Sequence, residues 1–338
     1  MIKTALLQEE GILEAARIIQ AGGLVGMPTE TVYGLGANGL DPAAVARIFE
    51  AKGRPQDNPL ILHIPQADWL ERYCRNIPKA AYRLAEEFWP GPLTVVLPRR
   101  SNVPNRTTGG LDTVGMRCPN HPLALALIQA ADLPVAAPSG NTSGKPSPTT
   151  ARHMLEDMDG KIDAILDGGP CSVGVESTIV DLTCHIPRLL RPGGVTLEQL
   201  QRVLGEVVVD PAVTRLMKSG EKPKAPGMKY RHYAPKAPVT VIAGTPRKTA
   251  RYIFEHCSPE DGIICFDEFR DLFSAQVVEP LGSANNLEEQ ARRLFDALRA
   301  FDHTEVTAIW AQCPDCKGIG LAITNRLNKA AGFHIVEV

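Results

Sequence analysis

The chain has no long apolar run, no excess of charge of one sign and few aromatic residues. No apolar stretch in its 338 residues approaches the roughly 18 residues of a membrane-spanning helix, so we expect no membrane segment. With 36 Lys and Arg against 38 Asp and Glu, the formal net charge is −2, and any contact with RNA needs a local basic patch. The N-terminus turns acidic before a signal-peptide core forms, which predicts a cytoplasmic protein.

Cysteine and histidine spacing excludes several common sites. The eight cysteines are scattered, and only Cys313 and Cys316 form a C-x-x-C pair. A closed zinc site needs four ligands, so we interpret all eight as reduced thiols and leave open whether this pair binds a metal. No Ser–His–Asp or Cys–His arrangement stands out, so we expect no covalent nucleophile.

Two glycine-rich strings match nucleotide-binding patterns in their letters but not in their context. Residues 34–39 read GLGANG and fit G-x-G-x-x-G, but we place them in a flexible turn, and no acidic residue ends a second strand downstream. Residues 140–145 read GNTSGK, with three residues between the glycines instead of four, and Pro146 follows. Neither a Rossmann nucleotide site nor a P-loop is predicted here.

Composition divides the chain once, at a segment rich in proline and lysine. Residues 218–238 hold four prolines and six Lys or Arg, which leaves no room for a helix or a central strand. We therefore predict an N-terminal domain over 1–207, a linker over 208–238 and a C-terminal domain over 239–338. Cations and aromatic residues cluster in this linker, and Tyr230, Arg231 and Tyr233 are the candidate contacts of an active-site lid; a solvated spacer is the alternative.

The hydrophobic patterns predict an α/β protein with two different sheets. In the C-terminal region, strands at 239–243, 262–266, 277–281, 306–311 and 333–338 are interleaved with helices at 247–257, 287–302 and 317–331. This alternation is typical of a Rossmann-like parallel sheet. In the N-terminal region, helices at 10–21, 42–51, 79–88, 122–131 and 149–158 are mixed irregularly with strands at 24–28, 60–64, 93–98, 114–117, 134–137, 162–166 and 178–182. That irregularity favours a large mixed, twisted sheet with flanking helices.

Five polar loop strings of the N-terminal region carry the chemistry that we can identify. One of them, KGRPQDNPL at 52–60, places Lys52 and Arg54 in a stiff loop after a helix. Arg54 can grip a phosphate with two donors and Lys52 can supply a point charge, although both can also be simple charges at a helix C-terminus. Turn formation explains each string alone, but five in one domain indicate an anion-binding site.

These strings together resemble the YrdC-like family, in the two-domain form of its threonylcarbamoyl-AMP synthases. The resemblance rests on PTETVYGLG at 28–36, KGRPQDNPL at 52–60, PSGNTSG at 138–144, GVESTIVD at 174–181 and LRPG at 190–193. APGMKYRHYAP at 225–235 and GIGLAITNR at 318–326 resemble signatures of the two-domain form. The resemblance covers essentially the whole chain.

The resemblance implies a nucleotidyltransferase. L-threonine, bicarbonate or CO2, and ATP would give L-threonylcarbamoyl-AMP, pyrophosphate and water. The product would pass to downstream proteins that modify the tRNA adenosine beside the anticodon, and a weak contact with tRNA itself is expected. Mg2+ is expected with the ATP, with no protein side chain dedicated to the metal. No organic cofactor is expected.

The resemblance also assigns the site residues. The positions that match the family's threonine contacts are Thr31, His63, Arg117, Ala137 and Ser177. The positions assigned to ATP are Lys52, Arg54, Asn58, Thr113, Ser139, Asn141, Ser143, Ser147 and Arg191. Lys52 and Arg54 would also be catalytic, by electrostatic stabilisation alone.

Two other functions remain open at the level of sequence. The chain is alternatively a non-catalytic RNA-binding or ribosome-assembly factor, although its net charge and few aromatic residues disfavour this. Carbamoyl-transferring maturation proteins embed a similar domain, but they carry paired C-x-x-C zinc fingers and an acylphosphatase-like segment, which this sequence lacks.

Overall fold

A computed structural model describes residues 3–215, 225–226, 232–273 and 277–338. These residues form one sheet of eleven strands and one of five. The strands of the first sheet are β1 Ala5–Leu7, β2 Val25–Met27, β3 Gly34–Asn38, β4 Ile61–His63, β5 Leu93–Pro98, β6 Thr113–Arg117, β7 Val135–Ala136, β8 Ala164–Leu166, β9 Thr178–Asp181, β10 Arg188–Arg191 and β11 Val208–Val209. Those of the second are β12 Val239–Ala243, β13 Gly262–Cys265, β14 Val277–Pro280, β15 Ile309–Gln312 and β16 Ile335–Glu337.

The eleven-stranded sheet is mixed, as the irregular sequence pattern predicts. Its order is β1-β8-β2-β3-β7-β4-β6-β5-β9-β10-β11. The pair β4–β6 and the pair β5–β9 are parallel, whereas β5–β6, β3–β7 and β9–β10 are antiparallel. The central strands β4 to β6 carry the buried apolar side chains of the main core.

Helices flank both sheets. They are α1 Ile12–Gln20, α2 Pro42–Lys52, α3 Leu70–Tyr73, α4 Lys79–Phe88, α5 Asn105–Thr108, α6 Pro122–Ala131, α7 Ala151–Met158, α8 Leu197–Leu204, α9 Pro246–His256, α10 Leu287–Ala300 and α11 Gly320–Ala330. Short 3-10 helices span Glu9–Gly11, Ala67–Trp69, Pro211–Val213, Asp267–Phe273 and Phe301–His303. None of the helices in the described part of the chain is long and apolar enough to cross a bilayer.

Capping residues fix both ends of α2. Two of the predicted site residues, Lys52 and Arg54, lie at the C-terminal end of this helix. Asp41 accepts the backbone N–H of Ala43, and proline occupies the first helical position, where its missing N–H costs nothing. Gly53 ends the helix with φ 61°, a left-handed conformation that glycine adopts without strain. Lys52 is therefore the last residue of the helix, and Arg54 begins the loop after it.

The strand at Gly34–Asn38 corrects the prediction of a flexible turn at the GLGANG string. β3 pairs with β2 on one side and β7 on the other. A Cβ built on Gly36 would lie 3.0 Å from Val135 Cγ1 and 3.2 Å from the Val25 carbonyl oxygen. Glycine is needed here because neighbouring strands approach closely, and not because the chain turns.

Other elements of the N-terminal region were not predicted at all. They are the strands β1, β10 and β11 and the helices α3, α5 and α8. β11 pairs in parallel with β10, so the sheet continues two residues into the predicted linker.

The five-stranded sheet is parallel throughout, in the order β14-β13-β15-β12-β16. This confirms the predicted Rossmann-like C-terminal domain. The two domains share a core, because Val32 and Val175 of the N-terminal domain and Tyr233 of the linker pack into the C-terminal apolar cluster. All eight cysteines lie in the described ranges and none of them forms a disulfide. Cys313 and Cys316 each lie near the hydroxyl of Thr324, at 3.6 and 3.7 Å.

Candidate active site

Nine of the residues predicted as ligands or lid contacts surround a single cavity. It lies against one face of the central strand β4, where Ile61 and His63 both line it, and is covered by Pro226, His232 and Tyr233 of the linker. The nine are Thr31, Arg54, His63, Arg117, Ala137, Ser139, Ser177, Arg191 and Tyr233. Residues far apart in sequence, from all five N-terminal loop strings and from the linker string, therefore meet at one place.

Strand register explains why three of these side chains meet. His63 and Arg117 are the last residues of the parallel strands β4 and β6 and lie directly opposite each other. Ser177 precedes β9, and its hydroxyl lies 2.8 Å from that of Thr94, the residue in register with Arg117. The sheet itself thus sets the spacing between these groups.

Arg117 is paired with a carboxylate that the sequence reading missed. Its Nη2 lies 2.8 Å from Oε2 of Glu30, and both side chains are only 5% exposed. Nε of Arg117 has no hydrogen-bond partner. The contact with Glu30 is an ion pair without hydrogen-bond geometry, so neither carboxylate oxygen of Glu30 accepts a hydrogen bond. The pair holds the guanidinium in place and leaves donor capacity for an anionic ligand. A glutamate between two threonines, in PTETVYG, is the signal that could have found it.

Arg54 and Arg191 add two more buried guanidinium groups. Arg54 is 8% exposed, its Nε has no hydrogen-bond partner, and its Nη2 donates to the Pro59 carbonyl at 3.5 Å. Arg191 donates to the carbonyl and the hydroxyl of Ser177 at 3.0 and 3.1 Å. Burial lowers the pKa of each to about 10, so both remain cationic at neutral pH.

Glu176 is the acidic centre of the cavity and was also missed. It accepts the hydroxyl of Ser147 at 2.6 Å and Nε of Arg326, from α11, at 2.9 Å. Burial alone would raise the pKa of Glu176, but the guanidiniums of Arg326 and Arg191 hold it at about 2. Ser147 is fully buried and outside the cavity lining, so its contact to the cavity runs through Glu176.

Lys52 is also outside the lining and supports the loop that forms one wall. Its ammonium donates to the carbonyl oxygens of Ser139 and Asn141 and is 1% exposed. Burial, and then the charge of Arg54, lowers its pKa well below the ordinary value. Lys52, the last residue of α2, therefore holds the loop at Ser139. Arg54, two residues after the end of the helix, lines the cavity.

The remaining predicted nucleotide ligands lie around this cavity and not in its lining. Asn58 and Asn141 are buried, and each has a side-chain oxygen without a partner. Thr113 lines an adjoining cavity, which shares Ile61 and Pro226 with the first. Ser143 is exposed.

Three described residues of the linker form the outer wall of the cavity. Pro226, His232 and Tyr233 all line the cavity. Tyr233 has φ 66° and is 1% exposed, with its ring centroid 4.2 Å from that of His232 and 5.2 Å from that of Phe295. The other two lid candidates, Tyr230 and Arg231, lie outside the described residues.

The two cavity histidines are neutral at physiological pH. Burial lowers the pKa of His63 to about 3, with help from Arg117, and lowers the pKa of His232 to about 3. Nδ1 of His63 lies 3.3 Å from the Val135 carbonyl oxygen. Within the described ranges, no group of three or more His, Cys, Asp and Glu side chains could hold a metal ion.

Comparisons with known proteins match both domains. The family model described as "Telomere recombination", which covers Sua5, YciO and YrdC proteins, matches residues 17–193. A second, described as "Threonylcarbamoyl-AMP synthase, C-terminal domain", matches residues 195–332.

Individual relatives match along nearly the full length. The chain is 52% identical over 338 residues to a threonylcarbamoyl-AMP synthase of Pyrococcus abyssi, covering 98% of this chain and 97% of the relative. It is 47% identical over 329 residues to that of Bacillus subtilis, covering 96% and 94%. The crystal structure of Pyrococcus abyssi Sua5 complexed with L-threonine superposes with a TM-score of 0.93 at 50% identity, covering 99% of both chains. This chain therefore belongs to the threonylcarbamoyl-AMP synthase family and contains both of its domains.

Proposed function

We propose that this protein condenses L-threonine, bicarbonate or CO2, and ATP into L-threonylcarbamoyl-AMP, with release of pyrophosphate and water. The observation that carries the proposal is the meeting of three buried guanidiniums, those of Arg54, Arg117 and Arg191, in one cavity beside the neutral His63. Two of these guanidiniums have an Nε without a partner. A buried donor without a partner is costly, and the carboxylate and phosphate oxygens of the two substrates would satisfy it.

The chemistry is adenylyl transfer without an enzyme-bound intermediate. Bicarbonate, where it is the carbon source, first loses water to give CO2, and this is the water released. The amine of threonine then adds to CO2 and loses a proton, which gives a carbamate. A carbamate oxygen then attacks the α-phosphorus of ATP, and the bond from that phosphorus to the β-phosphate oxygen breaks. The electron pair leaves with pyrophosphate. The protein contributes by holding two anions together and by neutralising charge as pyrophosphate departs.

The threonine subsite would use the group of residues around the ends of β4 and β6. Arg117 would pair with the carboxylate of threonine, and the neutral His63 and the hydroxyls of Thr31 and Ser177 would bind its polar groups. Ala137 would contact the methyl group. The Pyrococcus abyssi relative crystallised with L-threonine, which supports this substrate.

The nucleotide subsite would lie on the Arg54 and Arg191 side of the cavity. Arg54, Arg191 and Ser139 line the cavity and would contact the nucleotide directly. The other assigned residues lie one layer away; Asn58, Asn141, Ser147 and Lys52 are buried and would act through the loops that they hold, or after those loops move. Mg2+ would enter with ATP as part of the substrate, bound chiefly by phosphate oxygens and water.

We further propose that the product serves downstream transfer of the threonylcarbamoyl group to the tRNA adenosine beside the anticodon. The family resemblance implies this acceptor, and a carbamoyl adenylate is an activated group donor suited to such a transfer. We place the reaction in the cytoplasm, where ATP and tRNA are available.

The test is pyrophosphate release by the purified chain. We expect release from ATP to require both threonine and bicarbonate, and ¹³C-bicarbonate to yield one labelled adduct of threonine with AMP by mass spectrometry. A variant with Arg54 and Arg191 changed to methionine serves as the matched inactive control. Release that ignores threonine, or binding of RNA without any turnover, would contradict the proposal and favour the non-catalytic alternative.

A further inference from the structure

A single arginine of the C-terminal domain crosses the domain interface and reaches the wall of the cavity. Arg326 lies in α11 and is the largest side chain with essentially no exposure. Its Nε donates to Oε2 of Glu176 at 2.9 Å, and its Nη1 donates to the carbonyl oxygen of Pro192 at 2.7 Å. Its neighbour Asn325 donates to the carbonyl oxygen of Val213 at 2.7 Å. Both of these partners of Arg326, Glu176 and Pro192, belong to the N-terminal domain.

Glu176, the partner of Arg326, accepts hydrogen bonds from two separate parts of the chain. One carboxylate oxygen of Glu176 accepts from Arg326 and the other accepts from Ser147. Tyr233 lines the same cavity as Glu176, and the Arg326 guanidinium carbon lies 5.8 Å from the centroid of the Tyr233 ring. Arg326 and its carboxylate partner therefore connect the C-terminal domain with the Ser147 loop and with the end of the linker.

Neither of the simpler roles explains this arrangement. Binding two domains together needs no buried charge, since a buried ion pair stabilises a fold no better than apolar residues of similar volume. Arg326 also does not line the cavity, so it is not itself a ligand of a bound substrate. Its chemistry is suited to fixing the orientation of another side chain.

We propose that Arg326 is a positioning residue for the nucleotide subsite. By holding Glu176, it sets Ser147 and closes Tyr233 over the cavity, so that the C-terminal domain is needed for ATP binding although it contributes none of the cavity's described lining. This inference rests on the proposed function, because it assigns the Arg54 and Arg191 side of the cavity to ATP.

The test compares two arginines that bridge the same domains. Arg326→Met removes the bonds to Glu176 at nearly constant volume. Arg299→Met is the matched control, because Arg299 of α10 is also buried and donates to Asp157 and the Pro146 carbonyl, both at 2.7 Å, but contacts no residue of the cavity lining. Dissociation constants for an ATP analogue and for threonine are measured by calorimetry, and folding is checked by thermal unfolding.

We expect Arg326→Met to weaken binding of the ATP analogue by about 10- to 100-fold, the loss typical of a misplaced binding group, and threonine binding far less. Arg299→Met is expected to lower the unfolding temperature while keeping both dissociation constants near those of the unmodified protein. If Arg326→Met does not fold, Arg326→Lys retains the buried charge and is expected to show a smaller loss with the same selectivity for the nucleotide.

Two results would overturn the inference. One is an equal loss of affinity for both ligands, and the other is an effect of Arg326→Met no larger than that of Arg299→Met. Failure of the proposed function is a separate outcome, since the unmodified protein would then bind no ATP analogue or release no pyrophosphate.

Discussion

At the scale of single residues, Arg54 offers the cleanest test of phosphate binding. Among the described residues, its side chain makes one long hydrogen bond, to the Pro59 carbonyl at 3.5 Å, so truncation breaks little of the described structure. We expect Arg54→Ala to weaken ATP binding by about 1.5–3 kcal/mol, the range for a lost hydrogen bond to a charged group. Calorimetry checks this, with Arg106→Ala, at an exposed position, as the control. Unchanged ATP affinity would rule out phosphate binding by Arg54.

The pair of Arg117 and Glu30 separates a stability effect from a binding effect. Arg117→Ala alone leaves Glu30 buried without its partner, which costs about 3–5 kcal/mol of unfolding free energy. It should also raise the apparent constant for threonine far more than that for ATP, since threonine offers the carboxylate at this end. The double variant Arg117→Met with Glu30→Gln should recover much of the stability and none of the threonine affinity. Recovery of both would show that Arg117 is only structural.

His63 gives a pH dependence with a definite sign. Its pKa falls from an ordinary 6.5 to about 3 in the folded protein, so below pH 6.5 the unfolded chain binds the extra proton and the folded state loses stability. Acidification from pH 7 to pH 5 should therefore cost about 2 kcal/mol through this residue. Urea unfolding at the two pH values should show a smaller loss, by that amount, for His63→Gln. An equal loss in both proteins would mean that His63 is not buried in its neutral form.

At the scale of elements, we predict that the linker acts as a lid over the cavity, as its composition indicates. Its described flanks, Pro226 and the pair His232–Tyr233, line the cavity, and Ala234 donates its N–H to the Gly144 carbonyl at 2.9 Å. A segment anchored on both sides of a cavity is suited to act as a lid. ATP with threonine should therefore protect the bond after Lys229 from limited trypsin digestion. Identical cleavage with and without substrates would leave the spacer interpretation.

The elements also show where sequence patterns suffice. The bounds of α4, α6, β5 and β12 match the predicted ranges, because a proline stands at or directly before the first residue of each element and marks its boundary. β3 has no such signal, and three of its five positions at 34–38 are Gly or Asn, residues that normally mark turns. Its strand conformation comes from the neighbours on both sides, which no local pattern contains.

At the scale of the whole molecule, the family resemblance predicted side chains that meet at one cavity but not the groups that hold them. Nine predicted residues meet at the cavity, whereas Glu30, Glu176 and Arg326 were missed. Arg326 lies 150 positions from Glu176, and a charge in the apolar string GIGLAITNR is the only local sign of burial. Pairing across such a distance depends on how two domains dock, which sequence periodicity does not encode.

The central claim is that one cavity holds threonine and ATP side by side. A crystal structure of the unmodified protein with threonine and a non-hydrolysable ATP analogue tests it most directly. We predict threonine against Arg117 and His63, the phosphates against Arg54 and Arg191, and the threonine nitrogen close enough for one carboxyl group to bridge it to the α-phosphorus. A nucleotide bound away from Arg54 and Arg191, or in a separate pocket from threonine, would contradict the claim.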